Sequence, residues 1–146
     1  MSQKKLLQVC QIWISKLTSD ERYVSLSTWT KEENRKRTPV WIASLDDGRV
    51  GFITGNKTWK VRRILRNPSV QLQPCNFKGA LNKDSEGCVG VARVVDAGEK
   101  EYTLIKNAIR KKYGIQDLLV GFFGQFSKKY GEDCAVVISL ENETLS

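Results

Sequence analysis

Asp46-Asp47-Gly48 stands between two stretches rich in apolar residues, 38–45 and 49–54. An Asp-Gly step so flanked is the strongest short-range signal for a tight β-hairpin. It predicts two antiparallel strands and sets the class of fold to which the rest of the chain must conform. Upstream, 23–30 alternates Val24, Leu26 and Thr28 with Ser25 and Ser27, the period of a half-buried strand. The polar, charged run 31–37 reads as a turn. Downstream, 70–75 and 88–95 read as further strands. In 134–140, the continuous run Ala135-Val136-Val137-Ile138 suits a central strand.

Helical spacing is as clear elsewhere. Leu6, Leu7, Cys10, Trp13, Ile14 and Leu17 recur at three and four residues, which predicts an amphipathic N-terminal helix within 1–19. A helix opening after 55–57 carries Val61, Ile64 and Leu65 on its apolar face and stops at Asn67-Pro68. The segment 99–113 repeats Tyr102, Ile105, Ala108 and Ile109 and ends at Gly114. A last helix is read over 118–130, where Phe122, Phe123 and Phe126, like Trp13, suit a core or a subunit interface. Hairpin-linked strands with helices between and around them favour an antiparallel, barrel-like α+β fold over a parallel doubly wound one. At 146 residues the chain is expected to be one domain, 1–146.

The chain contains no histidine. Nucleophilic centres that need an imidazole base, and zinc sites that need imidazole ligands, are therefore excluded. Cys10, Cys75, Cys88 and Cys134 form no CxxC pair, so no metal site is expected. With no secretory signal at the N-terminus, reduced buried thiols and a soluble, cytoplasmic protein are the expectation. Cys75 and Cys88 are read as inert.

Positive charge is concentrated. Of a formal net +8, residues 31–66 hold ten basic and four acidic side chains, a local excess of +6. Its densest part is Thr54-Gly55-Asn56-Lys57-Thr58-Trp59-Lys60-Val61-Arg62-Arg63. A strand passing through a glycine-containing turn into a helix start gathers backbone N–H groups and the positive end of the helix dipole, which suits a phosphate. Lys60 and Arg63, three apart, share a helix face. A solvated helix face gives the same charge pattern, and GxxxxGK[ST] is absent.

At these residues the chain resembles a known family. Thr38-Pro39-Val40-Trp41, Asp47-Gly48, Thr54-Gly55, Lys60-Val61-Arg62-Arg63-Ile64, Arg66-Asn67-Pro68-Ser69-Val70, Pro74-Cys75 and Gly79 look like the signature of the pyridoxamine 5'-phosphate oxidase-like split-barrel superfamily. The nearest branch is the deazaflavin (coenzyme F-420)-dependent oxidoreductases. Gly90-Val91-Ala92-Arg93-Val94-Val95 and Lys112-Tyr113-Gly114 fit that branch too. The resemblance implies a six-stranded antiparallel split β-barrel with flanking helices, a homodimer with its cofactor at the interface. It implies that Thr38, Pro39, Val40 and Trp41 run along a flavin-type ring, and that Thr54, Lys57 and Lys60, with Arg63, hold the phosphate end. Pro74, with Cys75, would lie near the ring. Where the oxidase subfamily carries a paired Arg-Lys before the helix, this chain has Trp59-Lys60, which argues against pyridoxamine phosphate oxidation.

Such chemistry agrees with the missing histidine, because the bound ring transfers the hydride while the protein binds and orients it. No catalytic side chain is assigned. Coenzyme F-420 carries a phosphodiester and an acidic tail, and charge-assisted hydrogen bonds are worth about 1.5–3 kcal/mol each. The surplus Arg62, Arg63 and Arg66 therefore favours the deazaflavin over FMN, which has one phosphate. The same charge suits an acidic organic substrate such as a tetrapyrrole, biliverdin for example. Basic charge beside Tyr23, Trp29, Trp41 and Trp59 is also the first mark of a nucleic-acid platform, the alternative class. Trp41 and Trp59 flank the expected groove.

Overall fold

The computed structural model describes residues 23–75, 87–114 and 130–140. The N-terminal and 118–130 helices, with Cys10, Trp13, Gly79 and the three phenylalanines, lie outside that set. In chain order the elements are β1 (Val24–Trp29), β2 (Arg35–Val40), β3 (Ala43–Ser44), β4 (Val50–Gly55), α1 (Trp59–Arg66), β5 (Ser69–Pro74), β6 (Cys88–Asp96), α2 (Lys100–Tyr113) and β7 (Asp133–Leu140). The described strands form one sheet, ordered β2-β1-β5-β6-β7-β4-β3. Every neighbouring pair is antiparallel.

Among the described residues there are seven strands where six are expected, because the predicted strand 38–45 is divided. Its first part continues β2 and pairs with β1, from Val24↔Val40 to Trp29↔Arg35. Its last part is the two-residue β3, paired with β4 at Ala43↔Gly51 and Ser44↔Val50. Between them the carbonyl of Ile42 leaves the ladder and accepts hydrogen bonds from Lys112 Nζ at 2.8 Å and the Tyr113 hydroxyl at 2.9 Å. β2 and β3 are the two edges of the sheet, yet only Trp41 and Ile42 connect them. The three Cα–Cα steps from Val40 to Ala43 span at most about 11 Å. The sheet is therefore curled until its edges lie side by side, an open half-barrel with a seam at residues 41–42.

The predicted turn 31–37 is shorter than expected. Thr30 N–H donates to Asn34 O at 2.9 Å, Asn34 N–H to Thr30 Oγ1 at 3.1 Å, and Glu33 adopts a φ of 64°. Arg35, Lys36 and Arg37 already belong to β2 and are exposed. An edge strand tolerates such charge, which also discourages pairing with another chain. The Asp-Gly turn forms as predicted: Gly48 has a φ of 90°, and Leu45 N–H donates to Arg49 O at 2.7 Å.

Two apolar layers hold the sheet. Inside the curl, Val24, Leu26, Val40, Phe52, Leu72, Val136 and Ile138 pack with Val61 and Ile64 of α1. Leu65 departs from its predicted face and is exposed, since α1 docks against β1 and β6 through Val61 and Ile64. On the other side, Ile53, Val95, Ala135 and Val137 receive Tyr102, Ile105, Ile109 and Tyr113 of α2. Gly114 ends α2 with a φ of 87°. β7 lies between β6 and β4, with Cys134 to Ile138 all buried, the central position its apolar run predicts.

Candidate functional site

Strand alternation gives the seam two differently furnished walls. On β4, Phe52 and Thr54 sit opposite Val136 and Cys134, on the α1 side of the sheet. Ile53 sits opposite Ala135 on the α2 side, where Trp41 also packs. Between β4, the end of β2 and the start of α1 lies a cavity of about 840 Å³, within the range of small-molecule and cofactor sites. Thr38, Pro39, Val40, Trp41, Thr54, Lys57, Lys60 and Arg63 all line it. Eight of the nine residues assigned to a cofactor thus face one space. Pro74, the ninth, ends β5 in register with Val24, which is itself paired with Val40; its side chain lies outside the described set. Cys75 is buried, as are Cys88 and Cys134.

The turn into α1 differs from expectation in its donors. The N–H groups of Asn56 and Lys57 donate to Glu132 O (2.8 Å) and Tyr130 O (2.7 Å), and that of Thr58 to Gly55 O (3.3 Å). They are not free for an anion. The Thr58 hydroxyl turns back to Gly55 O at 3.0 Å and gives α1 no side-chain cap. The donors left at this helix end are the first-turn N–H groups that every helix leaves without an internal partner.

The turn itself is clamped from β7's entry. Asn56 Oδ1 accepts from Glu132 N–H at 3.1 Å. Gly131 has a φ of 86°, and a Cβ there would stand 2.0 Å from Asn56 Oδ1. Only glycine fits that approach.

Seven of the ten basic side chains in 31–66 fall into three groups. Arg49 is engaged by Asp47 and Glu101, at 2.7 and 2.5 Å, away from the cavity. Arg66 donates to Trp29 O, while Arg35 bonds Gln71 and lies over the Trp29 ring at 5.5 Å. Lys57, Lys60, Arg62 and Arg63 line the cavity. Arg63 donates to Thr28 Oγ1 at 3.3 Å, and Arg62 stands over the exposed ring of Trp59 at 5.0 Å. Burial, with Arg63 adding to it, pulls the Lys60 ammonium below the ordinary lysine pKa. Among the described residues no carboxylate forms an ion pair with these four cations.

The aromatic wall is fixed by neighbours. Trp41 stacks on Tyr113, with Tyr23 edge-on to it at 6.2 Å. Tyr23, Tyr130 and Asp133 also line the cavity, and none of them belongs to the cofactor set read from the sequence. Asp133 was hidden because it precedes an apolar strand and reaches the site only through the β4–β7 register, opposite Gly55. Burial raises its carboxyl above the usual range, against the pull of Lys106. Burial likewise pushes the Cys134 thiol up to about 11, with Asp96 and Asp133 adding to it. That thiol stays protonated at neutral pH.

No family model matches the sequence, and no curated protein matches it. Solved structures do. The haem storage protein HutZ of Vibrio cholerae superposes with a TM-score of 0.65 at 12% identity, over 89% of each chain. A protein described as an F420 reductase gives 0.58 at 16%, over 87% of this chain and 92% of its own. A Listeria innocua protein, provisionally described as a pyridoxamine 5'-phosphate oxidase, gives 0.57 at 16%, over 90% and 94%. The chain shares with these proteins the fold of the pyridoxamine 5'-phosphate oxidase-like split barrels, an antiparallel half-barrel open at one seam. Among the described residues no helix is long and apolar enough to cross a membrane.

Proposed function

We propose that the cavity binds a deazaflavin of the coenzyme F-420 type and that the protein is an oxidoreductase passing a hydride between that ring and an organic substrate. The observation that carries the reading is the set of four cavity cations that have no carboxylate partner among the described residues, one of them, Lys60, depressed by burial. A half-buried ammonium of this kind is stabilised by an incoming anion. The residues therefore fit a phosphodiester.

In this reading Lys57, Lys60 and Arg63 hold the phosphate, assisted by the first-turn N–H groups of α1. Thr38, Pro39, Val40 and Trp41 border the ring, and the Tyr113 stack keeps Trp41 from turning. Bound there, the ring supplies two electrons as hydride. Arg62 and the exposed Trp59 are placed for an acidic, planar substrate, and a tetrapyrrole such as biliverdin is the class we assign. Two structural neighbours described as haem proteins are in keeping with a tetrapyrrole. A second copy of the chain completes the groove in a homodimer. FMN is the second reading, favoured by the same phosphate site without the need for surplus cations.

Parallel fluorescence titrations with coenzyme F-420 and FMN test it. Tighter binding of coenzyme F-420 is expected. Affinity weaker than about 100 μM for both, equivalent to roughly −5.5 kcal/mol, overturns the oxidoreductase reading. Salt-sensitive binding of oligonucleotides instead would assign the cavity to nucleic acid.

A further inference from the structure

Asp133 is the one carboxylate among the described residues that line the cavity. It is the first residue of β7, opposite Gly55, so it lies on the same side of the sheet as Ile53 and Ala135, in the layer that receives Trp41. Lys60 belongs to the other wall. Among the described residues no hydrogen bond or ion pair engages the Asp133 carboxylate. Among the described residues the titratable groups around it are Tyr102 and Lys106 on α2, its chain neighbour Cys134, and beyond that thiol Asp96 of β6 and Lys60 of α1.

Its environment is therefore that of a group held for exchange rather than for structure. A structural carboxylate in this protein looks different: Glu101 is bound by two arginines that hold it below the usual range. Asp133 lines the cavity, is partly buried, is in no ion pair among the described residues, and is raised by burial against the pull of Lys106, the combination that marks acid–base residues.

Resting on the proposed hydride transfer, we infer that Asp133 is the proton-transfer residue of the site, acting on the substrate from the Trp41 wall. The step balances with the reduced deazaflavin as two-electron donor. A hydride delivered to an electron-poor carbon of a conjugated C=X group forms a C–H bond and opens the π bond, its electron pair moving to X. The Asp133 hydroxyl gives its proton to X, and the carboxylate left behind is reprotonated from solvent, which receives the one proton that leaves the reduced deazaflavin along with its hydride. The substrate gains two electrons and the ring loses two.

Three measurements on the whole protein test this. A carbon NMR titration of the Asp133 carboxyl, identified by its loss in Asp133→Asn, should show it titrating above the usual aspartate value. Fluorescence titration should give Asp133→Asn the wild-type affinity for coenzyme F-420. Stopped-flow reduction of biliverdin by reduced coenzyme F-420 should be about 100-fold slower in Asp133→Asn, the scale of general acid catalysis. The wild-type decline of rate with rising pH should vanish with it and return in Asp133→Glu. The inference is overturned by an ordinary or depressed Asp133 titration, by an unchanged rate and pH profile in Asp133→Asn, or by biliverdin left unreduced although coenzyme F-420 binds. In each case the binding reading survives. Failure of the wild type to bind either cofactor removes both.

Discussion

The indole of Trp41 lies flat against the phenol of Tyr113, their ring centroids 4.7 Å apart and their planes 13° from parallel. The same tyrosine donates to Ile42 O. One residue of α2 thus fixes both members of the two-residue link where the sheet changes edge, and it does so beside the cavity. Lys112 Nζ, bonded to the same carbonyl and 4.8 Å from the tyrosine ring, adds a third tie.

Tyr113→Phe and Tyr113→Ala separate these ties. The first keeps the stack and leaves Ile42 O with Lys112, so a loss of about 1 kcal/mol in urea unfolding is expected. The second removes a buried ring and should cost about 3–5 kcal/mol. It should also weaken coenzyme F-420 binding, because Trp41 loses its support. Equal effects of the two variants would place the hydroxyl, not the stack, in charge of the link.

The cavity cations give opposite signs for stability and binding. Burial already holds the Lys60 pKa down, so the folded protein binds that proton less tightly than the unfolded chain. Its contribution is unfavourable at neutral pH and is relieved as pH rises toward the ordinary lysine value. Lys60→Met should therefore raise the Tm of the free protein while weakening cofactor affinity. The pair Lys57→Ala, Lys60→Ala should weaken it tenfold or more, about 1.4 kcal/mol, by fluorescence titration.

Much of this geometry was legible in the sequence, and what was missed has physical reasons. The hairpin turn, the stops at Asn67 and Gly114, and the central strand follow from local preferences and apolar period. The division of 38–45 does not, because Ile42 leaves the ladder for partners some seventy residues away on α2. Arg35 to Arg37 look like a turn because an edge strand can be fully charged. At the site, the cationic residues are close in sequence and therefore visible. Asp133 arrives through strand register and Tyr130 through the segment that leads into β7, and the donors at Asn56 and Lys57 are consumed by carbonyls from 130–132. No local pattern announces either.

A pH dependence of stability comes from the opposite end of α2. Glu101 bridges Arg93 and Arg49, and Arg49 also binds Asp47. The Arg93 and Arg49 hydrogen bonds hold Glu101, and Arg49 holds Asp47, below their ordinary values. A carboxyl depressed on folding stabilises fully above its unfolded pKa and loses that stabilisation as pH falls through the folded value. Glu101→Gln should therefore cost stability at neutral pH, about 1 kcal/mol or less for so accessible a network. The difference from wild type should narrow as pH falls below the ordinary glutamate range and close once Glu101 is protonated in the folded protein too. Chemical denaturation at a series of pH values reads this, and a gap that persists in acid would exclude the ion network as its source.

The clamp on the phosphate turn offers a test that leaves every cation in place. Asn56 exchanges two hydrogen bonds with Glu132, and Lys57 N–H is held by Tyr130 O, so the direction of Lys57 is set by residues entering β7. Asn56→Ala removes the side-chain half of this exchange and frees Glu132 N–H. Gly131→Ala forces a Cβ against Asn56 at a left-handed position, a conformation that costs an L-residue about 1–2 kcal/mol. Both variants should weaken coenzyme F-420 binding about tenfold, 1.4 kcal/mol, although neither residue carries charge. If the clamp acts by aiming Lys57, its effect must depend on that lysine. In a double-mutant cycle, Asn56→Ala added to Lys57→Ala should then cost much less than it does in the wild type. Strict additivity would show that the turn's shape and the lysine's charge act independently, and that the clamp serves only the fold.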